Sequence, residues 1–162
     1  MIKVLFVCLG NICRSPLAEG IFELMVQNRK LNGIIKCDSA GTSNYHIGDP
    51  PDRRTVQNAK ENGVILTSRA RQFDPADFKL FDYIVAMDSQ NLKVIKSIEP
   101  SGNQESYEIL MMREFDRLET NADVPDPYYG GEKGFQEVFE ILERSNQNFL
   151  EFLIERHNLK RA

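Results

Sequence analysis

Few cysteines, no long apolar run and no excess of positive charge mark this 162-residue chain, and each shortage closes off a class of protein. Three cysteines, an odd number in a chain of this length, do not make the disulfide framework of a small secreted domain; in a reducing compartment such thiols serve catalysis or redox chemistry. No apolar stretch approaches the ~20 residues of a membrane helix, so membrane insertion is not expected. The opening MIKVLFV lacks the basic region, extended apolar core and cleavage site of a secretory signal. Those residues therefore belong to the fold, and the expected location is the cytoplasm. A net charge of −4 gives no overall attraction to nucleic acid, so any anion site must be local. The two histidines, His46 and His157, are far apart and show no ligand spacing with each other or with the cysteines. No metal and no cofactor are expected.

A chain of ~150 residues hides about 70% of its unfolded surface, enough for one core, so residues 1–162 are read as a single domain. Apolar runs at Ile2–Val7, Ile34–Asp38, Asp82–Met87 and Tyr107–Met112 have the length and continuity of buried strands. Helical spacing fills the intervals Pro16–Arg29, Pro51–Asn62 and Ser89–Ile98, with Gly33 and Gly63 placed as helix stops. Phe135, Val138, Phe139, Leu142, Phe149, Leu150 and Leu153 form the stripe of a long C-terminal helix. The expected fold is α/β: a three-layer sandwich with a central four-stranded parallel sheet, flavodoxin- or Rossmann-like, and helices on both faces. Residues Glu114–Glu132 form a long irregular segment containing VPDPYYGG, and such segments are often functional.

The richest stretch is VLFVCLGNICRSPLAEG, in which a strand passes through a short loop into a helix. Ser15 suits the N-cap and Pro16 the first helical position. Loop and first-turn amides then converge on one point before the positive end of the helix dipole, which suits a phosphate. Gly10 is the only glycine before the helix and no Gly-Lys pair follows, so neither a nucleotide-triphosphate loop nor a dinucleotide fingerprint is present. Cys8 and Arg14 supply another chemistry. A thiol among amides and beside a guanidinium is acidified from ~8.5 to about 3.5–7.5, which makes a nucleophile. Arg14 can hold two phosphate oxygens through parallel charge-assisted bonds.

VCLGNICRSP, with its C-x5-R-S pattern near the N-terminus, resembles the signature loop of the low-molecular-weight protein tyrosine phosphatases. CDSAGT at 37–42, FDYIVAMD at 81–88 and VPDPYYGG at 124–131 are similar to that family's segments in the same order. The resemblance spans essentially the whole chain. It implies hydrolysis of phosphotyrosine and small aryl phosphates through a cysteinyl-phosphate on Cys8, with Leu9, Gly10, Asn11, Ile12, Cys13, Arg14 and Ser15 binding the phosphate. It implies Asp126 as general acid, then base. Ser15 matches the serine that eases departure of the thiolate, a role compatible with capping. Asn11 and Ser39 match residues that brace the loop, although both are also ordinary turn residues, and Asn11 is a candidate for left-handed backbone. Tyr45, Tyr128 and Tyr129 would wall a deep pocket. Cys13 matches the second loop cysteine that forms a reversible disulfide with Cys8, or else it is an inert thiol. Cys37 is expected in the core. The implied partners are tyrosine-phosphorylated proteins or peptides, with phosphate and other oxyanions as inhibitors.

Two positions depart from the pattern: Tyr45 stands where many members have tryptophan, and Ser68 where many have a histidine that braces the loop. Arg53, Arg54, Arg69 and Arg71 read as charges on solvated helix faces. Two other classes compete. A thioredoxin-coupled arsenate reductase uses a similar loop but relays its disulfide to further cysteines, and none follows Cys37. A silent phosphopeptide-binding module would lack Cys8 or Asp126, and both are present.

Overall fold

The structure is a computed structural model that describes residues 1–102, 106–129 and 131–160, and of Tyr129 the backbone alone. Strand β1 (Ile2–Cys8) is buried along almost its whole length, as a strand covered on both faces must be. It lies inside a parallel sheet with β2 (Ile35–Gly41), β3 (Tyr83–Ala86) and β4 (Glu108–Met111), in the order β2-β1-β3-β4. The expected four-stranded parallel sheet is present. β2 reaches further than its apolar run indicated, because Ser39, Ala40 and Gly41 continue to pair with Phe6, Val7 and Cys8.

Alternation along β1 divides the core. Val4 and Phe6 face α1 (Arg14–Asn28) and α5 (Glu132–Arg156), where Phe6 and Phe22 meet edge to face at 5.5 Å and Phe22 and Phe149 stack at 5.4 Å. Every residue of the C-terminal stripe, from Phe135 to Leu153, is buried. Leu5 and Val7 face Phe78 of α3 (Asp77–Leu80) and Ile95 of α4 (Ser89–Ser97) on the opposite side. The sheet therefore carries helices on both faces. Helix α2 (Arg53–Glu61) begins under an Asp52 N-cap and ends before Gly63, whose φ of 86° only glycine adopts freely.

Three local expectations change. Helix α1 begins at Arg14 with Cys13 at its cap position and no side-chain cap, so Ser15 and Pro16 lie inside the first turn. The Ser15 hydroxyl is used elsewhere. Helix α1 ends at Asn28, one residue from the expected Arg29, but its stop is not Gly33: Lys30 turns left-handed at φ 56° and Leu31 N–H closes on Val26 O at 2.9 Å. Met112–Phe115, which runs from the end of the expected fourth strand into the segment expected to be irregular, and Pro127–Tyr129 within that segment form single 3-10 turns.

The sheet order fixes where a ligand can sit. From β1 the chain passes through α1 to β2 on one side, and later returns to β3 on the other. The C-terminal ends of β1 and β3 thus diverge into a crevice, the switch point at which open parallel sheets bind ligands. Cys8 ends β1 there, and Asp88 follows β3 closely. Among the described residues no helix is long and apolar enough to cross a membrane.

Candidate active site

A cleft of about 100 Å³ opens at that crevice, lined by Cys8, Leu9, Gly10, Ile12, Cys13, Arg14, Tyr45, His46, Asp126 and Tyr128. Cys8 forms the floor and is only 2% exposed. The loop from Leu9 to Cys13 curls over the thiol. Asn11 makes this possible by adopting φ 56°, which carries its amide back toward Cys8 Sγ at 3.3 Å. Its side chain then fixes the turn, donating from Nδ2 to Ser15 Oγ at 2.8 Å and accepting at Oδ1 from Arg71 N–H at 3.0 Å. Ser15 Oγ lies 3.0 Å from Cys8 Sγ and is fully buried. Because it accepts from Asn11, its own proton is left for the sulfur or for Ala40 O at 3.4 Å.

The loop also rests on Gly41. A Cβ there would come within 2.8 Å of Leu9 O and 3.1 Å of Asn11 N, so no larger residue fits beneath it. Thr42 and Ser43 continue the contact by donating to Cys8 O and Leu9 O, each at 2.9 Å.

Arg14 is 3% exposed, and its Nη1 donates to Asp88 Oδ2 at 2.7 Å and to Val124 O at 3.0 Å. Its Nη2 lies 3.5 Å from Asp126 Oδ2. Burial works against the charged guanidinium, but Cys8, Asp88 and Asp126 outweigh it, and the Arg14 pKa is raised. Asp126 sits across the cleft from Cys8, one third exposed, with Oδ1 accepting from Tyr128 N–H at 3.0 Å. The arrangement can hold an anion between the guanidinium and the thiol, with a carboxylate above it.

Tyr45 and Tyr128 line the cleft as expected, and His46 joins them. Tyr45 is 74% exposed and stands at the mouth, whereas His46 packs down over Gly10 and lies 6.5 Å from the Tyr128 ring. The side chain of Tyr129 lies outside the described residues. Cys13 lines the cleft with its thiol pushed up to about 12, chiefly by burial. Cys37 is held well above the usual thiol range, again by burial, and donates to Glu19 O at 3.6 Å away from the cleft.

A buried thiol, a buried guanidinium and a strand-to-helix loop at the switch point of a parallel sheet define an oxyanion-binding α/β protein. The chain belongs to the low molecular weight phosphotyrosine protein phosphatases, whose family model matches residues 3–161. A putative low molecular weight protein-tyrosine-phosphatase of Synechocystis is 47% identical, over 91% of this chain and 94% of that protein. A low molecular weight phosphotyrosine protein phosphatase of Schizosaccharomyces pombe is 43% identical over 92% and 95%. The crystal structure of a protein tyrosine phosphatase from Entamoeba histolytica superposes with a TM-score of 0.91 at 43% identity, covering 97% of this chain and 99% of that one.

Support beneath the loop takes a form that local reading missed. Ser39 does not brace the loop directly: its hydroxyl donates to Glu19 Oε1 on α1, because on β2 it sits below the loop layer. The bracing comes from Arg71, whose amide holds Asn11 while its guanidinium is pinned by Asp38 at 3.2 Å and Asp77 at 3.1 Å. Burial, with Asp38 and Glu23 adding to it, pushes the Glu19 carboxyl up to about 7 despite opposition from Ser39 and Arg71. Native Glu19 therefore binds a proton that the unfolded chain releases above its ordinary value of 4.5, so stability falls as pH rises from about 4.5 to 7. Glu19→Gln should flatten that slope and gain ~2–3 kcal/mol relative to wild type at pH 8, read by urea unfolding at pH 5 and pH 8. Parallel pH dependences in the two proteins would refute it.

Proposed function

We propose that the chain, acting as one phosphatase domain over residues 1–162, hydrolyses aryl phosphate monoesters, above all phosphotyrosine in proteins and peptides. The observation that carries this reading is the meeting at Cys8 Sγ of the Asn11 amide and the Ser15 hydroxyl, opposite buried Arg14 and below Asp126. The thiolate attacks phosphorus, a P–S bond forms, and the P–O bond to the phenol breaks. Asp126 gives its proton to the departing phenolate oxygen. With Nη1 of Arg14 committed to Asp88 and Val124, its Nε–Nη2 edge takes two equatorial oxygens, and amides of residues 9–15 take the rest. Asp126 then removes a proton from water as that water attacks the phosphocysteine. The P–S bond breaks, inorganic phosphate leaves, and Ser15 hydrogen-bonds the returning thiolate.

The floor position of Cys8 selects a long phosphorylated side chain, with Tyr128 and Tyr45 flanking the phenol ring. Phosphoserine is too short to reach it. Phosphate and other tetrahedral oxyanions inhibit by occupying the same cradle. Dependence on a thiol nucleophile, with Cys8, Cys13 and Cys37 all free, fits the reducing cytoplasm. Nothing favours a reductase or a silent binding module: Cys37, the last cysteine, lies away from the cleft, and the nucleophile and acid positions are both filled.

The test is hydrolysis of p-nitrophenyl phosphate in EDTA. Wild type should turn over while Cys8→Ser loses at least ~10³-fold, with phosphate affinity retained. An active serine variant would remove Cys8 as nucleophile. Asp126→Ala should cost ~10²–10⁴-fold on esters of basic phenols and far less on esters of acidic ones. Equal losses would argue against proton donation.

Redox control belongs to the same proposal. Peroxide oxidises the Cys8 thiolate to a sulfenic acid, and Cys13 sulfur displaces hydroxide from it to give a disulfide and, after proton transfer, water. Because burial holds the Cys13 thiol at about 12, closure should speed up as pH rises. Dithiothreitol should restore peroxide-treated wild type fully and Cys13→Ser less completely. Identical recovery would leave Cys13 as packing.

A further inference from the structure

Arg54 was expected to be a solvated charge on α2, and its side chain is 46% exposed, yet its Nε–Nη2 edge and its ring-facing side are engaged. Nε and Nη2 fork onto the Asp52 carboxylate, each at 3.2 Å, and Nη2 also donates to Tyr128 O at 3.0 Å. The guanidinium carbon lies 4.8 Å from the centre of the Phe135 ring and 5.4 Å from that of Tyr128. Arg54 is thereby joined to both catalytic loops without touching the cleft. On one side, Asp52 N–H donates to Ile12 O of the phosphate loop at 2.8 Å. On the other, Tyr128 N–H donates to Asp126 Oδ1 at 3.0 Å, so the residue that Arg54 holds at its carbonyl is the one whose amide orients the acid.

The acid loop is tied independently at its other end. Val124 N–H donates to Met87 O at 2.8 Å and Val124 O accepts from Arg14. Between these ties Asp126 stands with one carboxylate oxygen held and the other 3.5 Å from Arg14. When a phosphate takes the free edge of Arg14, that weak pairing must loosen, and the Tyr128 tie remains. A planar fork can meet a carboxylate, a carbonyl and two rings together, which a lysine ammonium cannot.

We propose that Arg54 is a positioning residue that couples the phosphate loop to the acid loop and sets the reach of Asp126 to the leaving oxygen. The inference rests on the reading of Asp126 as proton donor. A displacement of about 1 Å at a catalytic group costs up to ~10²-fold, so loss of the tie should show in proton donation first.

The test compares wild type with Arg54→Met, which keeps an apolar stem against Phe135, while the Asp52 cap on α2 survives because it accepts the main-chain N–H of residue 54. Arg54→Lys serves as the conservative partner. The variant should lose roughly tenfold in kcat/KM, which reports the step that breaks the P–O bond, on phenyl phosphate, part of the ~10²–10⁴ a general acid supplies, and distinctly less on p-nitrophenyl phosphate. The inhibition constant of inorganic phosphate should stay near wild type. Lysine should recover part of the loss, and Arg54→Met placed on Asp126→Ala should cost nothing further. Equal losses on both esters, full additivity with Asp126→Ala, or weakened phosphate binding would each overturn the proposal. Amide hydrogen exchange over residues 124–129 reads the tie without turnover and should quicken in Arg54→Met. Unaltered exchange overturns the inference whatever the activity. A wild-type chain that leaves aryl phosphates intact overturns the functional reading instead, and exchange still decides whether the tie exists.

Discussion

A guanidinium taken out of water must be answered by negative charge, and the answer to Arg14 organises the cleft. Leaving such an ion unpaired costs several kcal/mol, so the fold has to deliver partners from wherever the chain can supply them. Asp88 comes from the end of β3, and Val124 and Asp126 from the segment before α5. Each partner is itself fixed by a helix or the sheet. Asp88 caps α4 with one oxygen, through Asn91 N–H at 2.7 Å, while the other oxygen serves Arg14. Asp123 holds the entry to the acid segment by accepting from Ser89 N–H at 2.8 Å, and Val124 hangs from Met87. The nucleophile loop, the first turn of α1 and the acid loop thus converge because one buried charge requires them.

What was legible in the sequence is what lies close along the chain. Cys8, Asn11, Arg14 and Ser15 share one strand-to-helix turn, so anion-site physics connects them without knowledge of the fold. The strands and the C-terminal stripe were legible because burial on both faces leaves continuous apolar runs and helical packing leaves a period. Asp126 entered only through resemblance, since a carboxylate between prolines carries no sign of what it faces. Asp88, His46, Arg54 and Arg71 stayed hidden for a shared reason: the contacts that tie each of them to the cleft reach far across the sequence. Arg14 and Asp88 are 74 residues apart, and Asn11 and Arg71 are 60 apart. Ser39 shows the opposite error. Its place in the pattern was right, but its hydroxyl serves Glu19, one layer under the loop it was expected to touch.

Ser68 in place of histidine does not leave the phosphate loop unbraced. The brace is a backbone group, the Arg71 amide on Asn11 Oδ1, and a backbone donor depends on where the segment runs rather than on the side chain at position 68. That segment is anchored through the Arg71 side chain, which reaches Asp38 on β2 and Asp77 on α3, and through Gly41, whose backbone pairs with Arg71 O and Phe73 N–H on either side of Gln72. A half-buried arginine shared by two carboxylates resists displacement more than an exposed pair does, because moving it would uncover Asp77 as well.

The floor of the cleft reads only a phosphate group, and every phosphorylated side chain carries one. Discrimination must therefore come from depth and from the rim. On the proposed function, depth rejects short side chains, since Cys8 is almost completely enclosed. On the same reading the choice among long ones passes to Tyr45 and His46, which line the cleft from the connection between β2 and α2, an exposed tyrosine beside an inward imidazole. A connection can change its side chains without disturbing the sheet, whereas Gly41 and Asn11 beneath it cannot change without moving the nucleophile. On the proposed function, the site is divided into a fixed floor for the chemistry and an adjustable rim that chooses the substrate. The Tyr45 substitution falls wholly within the rim.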